Sequence, residues 1–396
     1  MPTNNIYQLT MKYLVDMRML WPNIYAPYYV ASVGCHLLNL RNRRQLSGKG
    51  WNFHVEGGMI PDMRLHLLMT CPSGFGKSYT PRRFISNNET GLLDKSSIHA
   101  VFKGYMTEAG LVGTFKEGVM VRGLAHTHRD SILCLNELSA IQGEGEGYAK
   151  LGDALLDLLD DGHVHKNLAG GEIDYTSYVT LWAGTQHARF RLSSGHGRRL
   201  MLLEFLPDKD QRRQLRLAKR AARGVTVNHA KLQHIWQAWA ELKNGLDVKT
   251  VDISEDLYDF FDTVPNCNHN DEELYTRLAM GYALVRYYRP GDKTLVVDVD
   301  ETIQTLVLQA HRWRESLLGD SAGAQVLALL REQPGGMTTT DIKRAAQTFG
   351  LTYGDTTDLL TTLIQQGVVV GRRMKTRGRP TTLYQVVDMM DGGGAE

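Results

Sequence analysis

The residues with the clearest chemical capability are Cys71-Pro72-Ser73-Gly74-Phe75-Gly76-Lys77-Ser78. They follow the apolar run Leu65-His66-Leu67-Leu68-Met69, short enough for a buried parallel strand, and a helix is expected after them. Small residues let consecutive backbone N–H groups curl around a polyphosphate, and a helix N-terminus adds positive dipole. Gly74 and Gly76 supply that freedom. Lys77 would set its ammonium between the β- and γ-phosphates, and the Ser78 hydroxyl would take one coordination position of Mg²⁺. Pro72 to Tyr79 is therefore the expected binding loop for ATP and Mg²⁺. Cys71 stands where the phosphate-loop pattern has its first Gly. A Gly-rich turn that binds nothing is the plain alternative, and the strand before it and the Lys-Ser after it weigh against that.

Further on, Ser131-Ile132-Leu133-Cys134-Leu135-Asn136-Glu137 is an apolar strand ending in a polar pair, and it resembles a Walker B element. Glu137 would polarise the water that attacks the γ-phosphate. Asn136 stands where the metal-shell Asp is expected. It lacks the charge but keeps an oxygen acceptor, so Asn136 and Glu137 join Ser78 as candidate metal-site residues and slow hydrolysis is expected. A helix, Leu151 to Leu159, and a hairpin, His163 to Ile173, lead to the strand Tyr178 to Ala183. That strand ends in Gly184-Thr185-Gln186, where a polar side chain can touch the γ-phosphate and the lytic water.

Strand candidates at 65–70, 131–136, 178–184 and 200–206 alternate with helical stretches, which argues for an α/β layer with parallel strands. Helical periodicity marks 7–19 and 24–40. From 207 to about 318 only helices are expected, at 208–223, 229–243, 254–263, 271–288 and 299–317. Helices at 321–333, 338–348 and 354–366, followed by strands at 368–370 and 381–387, have the plan of a winged helix. The expected domains are a helical segment 1–54, an ATPase core 55–206, a helical lid 207–319, a winged-helix domain 320–390 and a tail 391–396.

Between 367 and 380 stand five basic residues, Arg372, Arg373, Lys375, Arg377 and Arg379, and no acidic one, a field that attracts DNA phosphates. The helix before them is poor in cations, with Thr356, Thr357, Asp358, Thr361 and Thr362 on its polar face, so weakly selective contact is expected. A protein-docking domain with a solvated basic loop is the alternative.

At 396 residues, with 42% apolar and 22% charged side chains, the chain can bury ordinary globular cores. Its 45 basic and 43 acidic residues leave +2, so any nucleic-acid signal must be local. No signal peptide opens the sequence and no window holds ~18 consecutive apolar residues, so no membrane partner and a cytoplasmic, nucleoid-associated location are expected. Cys35, Cys71, Cys134 and Cys267 are too scattered for a zinc or disulfide framework and suggest reduced, mostly buried thiols. His126/His128 and His163/His165 could bind metal, but no acidic or Cys partners sit at ligand spacing around them, which favours chance placement.

In content and order these features resemble the AAA+ ATPases related to the minichromosome maintenance helicases, including shorter relatives on phages, plasmids and integrated elements. The resemblance covers roughly residues 55 to 320. It implies an α/β P-loop NTPase core with a helical lid, here followed by a winged helix. It also implies Lys166, with His165 beside it, as the hairpin cation facing DNA in a central pore, and Thr185 or Gln186 as sensor 1. The stretch Ser194-Gly195-His196-Gly197-Arg198-Arg199 looks like the arginine-finger turn, with Arg199 favoured over Arg198. Arg277 would be the sensor 2 arginine approaching the nucleotide. Surface caps and ordinary ion pairs are the plain readings of these arginines. The implied activity is that of an ATP-driven DNA helicase or translocase in replication of a mobile element. It would work as a ring-shaped homo-oligomer, a hexamer, with single-stranded DNA in the pore, duplex at the wing and a loader or initiator protein as partner. An ATP-switched DNA-binding initiator, loader or transposition regulator is the alternative, and a transcription regulator a weaker one. The family's larger N-terminal collar has no counterpart here.

Overall fold

The computed structural model describes residues 5–46, 54–55, 62–71, 77–86, 88–104, 106–138, 146–160, 162–168, 170–186, 197–206, 209–221, 226–319, 322–333, 335–347, 353–365, 368–374 and 381–387. The chain divides into two compact units, Met1–His311 and Arg312–Glu396. The first unit opens with α1 (Ile6–Asp16) and α2 (Pro22–Leu46). Then come β1 (His54–Val55), β2 (His66–Cys71), α3 (Pro81–Phe84), β3 (Ala100–Lys103) and α4 (Glu108–Val112). A hairpin of β4 (Gly113–Lys116) and β5 (Val119–Arg122) leads through α5 (Leu124–Thr127) to β6 (Ile132–Leu135). After α6 (Glu146–Leu159), a second hairpin, β7 (His163–Leu168) and β8 (Gly171–Thr176), precedes β9 (Thr180–Gln186) and β10 (Leu200–Glu204). The unit continues through α7 (Lys209–Ala221), α8 (His229–Gly245), β11 (Thr250–Ile253) and α9 (Glu255–Asp262). It ends with α10 (His269–Arg286), β12 (Thr294–Val297) and the start of α11 (Glu301–Gly319).

The central sheet has the order β10-β2-β9-β6-β3, with every neighbouring pair parallel. Each residue of β2 is buried, as a strand covered on both faces requires. The chain leaves β2 for the far edge at β3, returns through β6 and β9, and passes β2 to reach β10. In open parallel sheets such a reversal opens a crevice outside the carboxyl ends of the strands.

Buried polar bonds tie α2 to this sheet. Ser32 donates to the Leu65 carbonyl at 2.6 Å and accepts from the Trp182 indole at 2.8 Å, and His36 Nδ1 meets Thr180 Oγ1 at 2.9 Å. Helix α10 lies against α2 so closely that a Cβ on Gly34 would stand 2.3 Å from the Gly281 carbonyl oxygen. Only glycine fits that crossing. A capping box starts α10, in which the Asn268 side chain accepts from the Asp271 amide and Asp271 reaches back to the Asn268 amide.

At the amino end of β2, the fully buried Arg64 guanidinium pairs with Asp62 at 2.8 Å. It also donates to the carbonyls of Leu158, Val179 and Asp160 at 2.9–3.1 Å. One side chain thus joins the start of β2 to the end of α6 and the approach to β9.

The unit Arg312–Glu396 contains α12 (Ala322–Glu332), β13 (Met337–Thr338), α13 (Thr339–Gln347), α14 (Tyr353–Gln365), β14 (Val369–Met374) and β15 (Thr381–Val386). Its antiparallel sheet has the order β13-β15-β14. Val326, Leu330, Ile342, Leu360, Leu363, Val369 and Val386 form its core.

Several expectations need correction. The region from 207 onward is not purely helical, because β11 and β12 pair in parallel and join β1 in a second sheet. Both strands are four-residue alternations, too short to stand out between long helices. Edge strand β3 and the β4–β5 hairpin carry little buried apolar surface and were not anticipated. Where a longer helix is expected after Ser78, residues 77–80 form a turn and the helix is only Pro81–Phe84. Thr356, expected on a polar face, is fully buried. Among the described residues, no helix is long and apolar enough to cross a membrane.

Burial pushes His36 down to about 3, helped by the Lys243 and Arg64 charges, and burial likewise holds His66 well below the usual range. Both values lie below an unfolded-chain value of about 6.5, so the unfolded state takes up these protons first. Stability is therefore complete above that value and falls as pH drops through it, for His36 until about 3, by up to ~1.4 kcal/mol per pH unit for each histidine. The urea midpoint should be lower at pH 5 than at pH 7, and His36→Asn should flatten the difference. Equal midpoints would contradict this.

Candidate functional site

Register sets out the site. Across β2 and β9, Thr70 faces Thr185 and Cys71 faces Gln186, while across β9 and β6, Leu135 faces Ala183. Asn136 and Glu137 consequently leave β6 beside Gly184 and Thr185. Lys77 returns over this edge, and its ammonium makes an ion pair with the Glu137 carboxylate. The lysine stem crosses Gly184: a Cβ there would stand 3.1 Å from Lys77 Cβ and 2.9 Å from the Asn136 carbonyl oxygen. Backbone bonds hold the rim, with the Leu138 amide donating to Gly184 O at 2.8 Å and the Asn136 amide to Lys103 O at 3.0 Å. Lys77, Asn136, Glu137, Thr185 and Gln186 are thus brought together, although β9 separates β2 from β6.

Two polar atoms at this rim are buried with no hydrogen-bond partner among the described residues: Thr185 Oγ1 and Glu137 Oε1. An unmade bond of this kind costs about 1–3 kcal/mol, so two beside one ammonium mark a place where a polar ligand fits. Burial pushes the Cys71 thiol up to about 11 against the pull of Lys77, which keeps it protonated and gives it a packing role rather than a nucleophilic one. Ser78 and Tyr79 are half-buried in the turn before α3. The Tyr79 hydroxyl accepts from the Leu20 amide at 3.4 Å. Pro72, Ser73, Gly74, Phe75 and Gly76 lie outside the described residues.

Sequence reasoning missed the groove beside this rim, lined by Trp21, Tyr25, Met69, Cys71, Tyr79 and Phe205. Trp21 holds φ 49°, an uncommon backbone state for a bulky residue, with its ring centroid 5.2 Å from that of Phe205. The Tyr25 hydroxyl donates to the Glu204 carbonyl at 3.0 Å, fixing a second ring there. These aromatics come from separate stretches of chain, so no local motif signals them. An apolar, aromatic cleft next to a cation and orphaned polar atoms suits a flat heterocycle joined to an anionic group.

The expected arginines lie elsewhere. Arg198 and Arg199 directly precede β10, whose first residue pairs with His66 at the amino end of β2. That is the sheet end opposite Lys77, so neither arginine can serve the lysine of its own chain. Arg198 is exposed, and Arg199 pairs with Asp160 at 2.6 Å, holding that carboxyl below its usual range. Arg277 is buried, pairs with Glu273 at 3.2 Å and acts electrostatically on Asp62 and His66. Its helix, α10, crosses α2 at Cys35, whose thiol donates to the Arg277 carbonyl at 2.8 Å.

Strand alternation puts Lys166 on the inward face with the buried Val164, where it pairs with Glu108. His165 faces outward, beside the carboxylates of Glu172 and Asp174. In the other unit, Arg372 and Arg373 are exposed on successive positions of β14 and so point to opposite faces. Lys375, Arg377 and Arg379 lie outside the described residues.

No protein-family model matches the chain, and no curated protein matches it.

Gly184→Ala should destabilise the protein by about 1–3 kcal/mol, since backbone and the lysine stem must both shift. Gly104→Ala, where a Cβ meets nothing within 4 Å, should leave the denaturation midpoint unchanged. Equal effects of the two substitutions would contradict the crowding at position 184.

Proposed function

We propose that this chain is an ATP hydrolase of the AAA+ kind that works on DNA as a ring of identical subunits, with each nucleotide site completed by a neighbour. The observation that carries the proposal is the meeting of Lys77, Glu137 and the orphaned Thr185 hydroxyl at the carboxyl ends of β2, β6 and β9. Lys77 would hold the triphosphate, Ser78 and Asn136 would hold Mg²⁺, and the aromatic groove would take the base. Bound Mg²⁺ would neutralise phosphate charge. Glu137, once its lysine turns to the phosphates, has a carboxylate available to orient and deprotonate water, and Thr185 offers that water a second partner.

A shared site is supported by the distance of Arg198 and Arg199 from their own Lys77. An arginine at the opposite end of the sheet can act only on a nucleotide bound by another subunit, and Arg199 must first leave Asp160. DNA contact is supported by the winged-helix order of the unit Arg312–Glu396 and by exposed Arg372 and Arg373. An ATP-switched initiator, loader or regulator is the second reading. It is favoured by Asn136, whose neutral side chain weakens the metal shell and slows turnover.

Lys77→Ala should abolish retention of MgATP. Glu137→Gln should retain it while lowering turnover about 10²–10⁴-fold. Arg199→Ala should be nearly inactive alone yet recover turnover when mixed with Lys77→Ala, because mixed rings contain intact composite sites. Failure of wild-type protein to retain MgATP would overturn the proposal. Strand displacement on forked DNA separates the two readings: turnover without unwinding favours the switch.

A further inference from the structure

We propose that the outward face of the β7–β8 hairpin is a binding site for one divalent metal ion of the zinc class, held by His165, Glu172 and Asp174 with His163 supporting Asp174. The inference is independent of the nucleotide site.

Hairpin register builds the face. His165 stands directly opposite Asp174, Asn167 opposite Glu172 and His163 opposite Thr176, so the alternation of two antiparallel strands gathers two imidazoles and two carboxylates on one side. Val164 and Ile173 are buried on the other side, which fixes which face looks outward. His165 Nδ1 lies 3.3 Å from a Glu172 oxygen and 3.9 Å from an Asp174 oxygen. The three ligand atoms all fall within 4.8 Å of one another. Ligands of a tetrahedral ion at 2.0–2.2 Å stand roughly 3.4 Å apart, so small side-chain rotations close the set.

His163 Nε2 meets the other oxygen of Asp174 at 2.8 Å. Such a bond fixes the orientation of a ligating carboxylate. Glu172 and Asp174 put two carboxylates on this face, and Lys166, the hairpin's one lysine, faces inward to Glu108. A dication cancels those charges. The imidazole selects a borderline ion over the oxygen-seeking Mg²⁺ and Ca²⁺. The sequence hid this set because Glu172 and Asp174 reach the histidines only through strand pairing.

The test is Zn²⁺ titration of chelator-treated full-length protein against a colorimetric competitor, with Mg²⁺ in excess to fill the nucleotide site. Wild type should bind one equivalent and melt at a higher temperature with Zn²⁺ than without. His165→Gln and Asp174→Asn should each weaken binding at least about 10-fold and abolish the Zn²⁺-dependent rise, and His163→Gln should weaken it less. Metal-free melting temperatures of these variants should match wild type, since the substituted side chains are exposed. The proposal is overturned if wild type retains no Zn²⁺, or if its affinity is the same in His165→Gln and Asp174→Asn, which would leave the cluster as plain histidine–carboxylate pairs.

Discussion

The passage of the Lys77 side chain over Gly184 to reach Glu137 is the contact on which the candidate site of the first unit depends. It joins three strands that the chain visits at widely separated times. A single methyl group at position 184 would stand within 3.1 Å of the lysine stem, so the approach exists only because β9 is bare there. Everything behind it serves to hold the three carboxyl ends level: the buried parallel register, the α2 side chains bonded to β2 and β9, and Arg64 binding the amino ends together.

The two ends of the sheet have different characters. The carboxyl end carries an ammonium, a carboxylate, orphaned polar atoms and an aromatic groove. The amino end carries arginines locked to acids: Arg64 with Asp62, Arg199 with Asp160, and Arg277 with Glu273. Both ends thus carry ion pairs, and only the carboxyl end adds orphaned polar atoms and an aromatic groove.

Strands β2, β6, β9 and β10 were legible in the sequence because each is an apolar run buried on both faces, and the long helices of the first unit were legible from their periodicity. The parallel α/β layer followed from that alternation. Strand order did not, because it depends on which crossovers pack. Residues at strand ends, Glu137 and Thr185, could be named because the strand places them. The surroundings of Lys166 and Arg277 were not legible, since one depends on which face of a hairpin is buried and the other on the crossing of α2 with α10 at Gly34 and Gly281. The aromatic groove and the hairpin cluster join residues distant in sequence and have no linear signature.

Photolabelling with 8-azido-ATP in the presence of Mg²⁺, followed by peptide mapping, tests the location of the site most directly. The account predicts saturable labelling, displaced by ATP, on peptides containing Trp21 and Tyr25, Tyr79, or Phe205. Label confined to the β7–β8 hairpin or to the Arg312–Glu396 unit, or label that ATP does not displace, would contradict it.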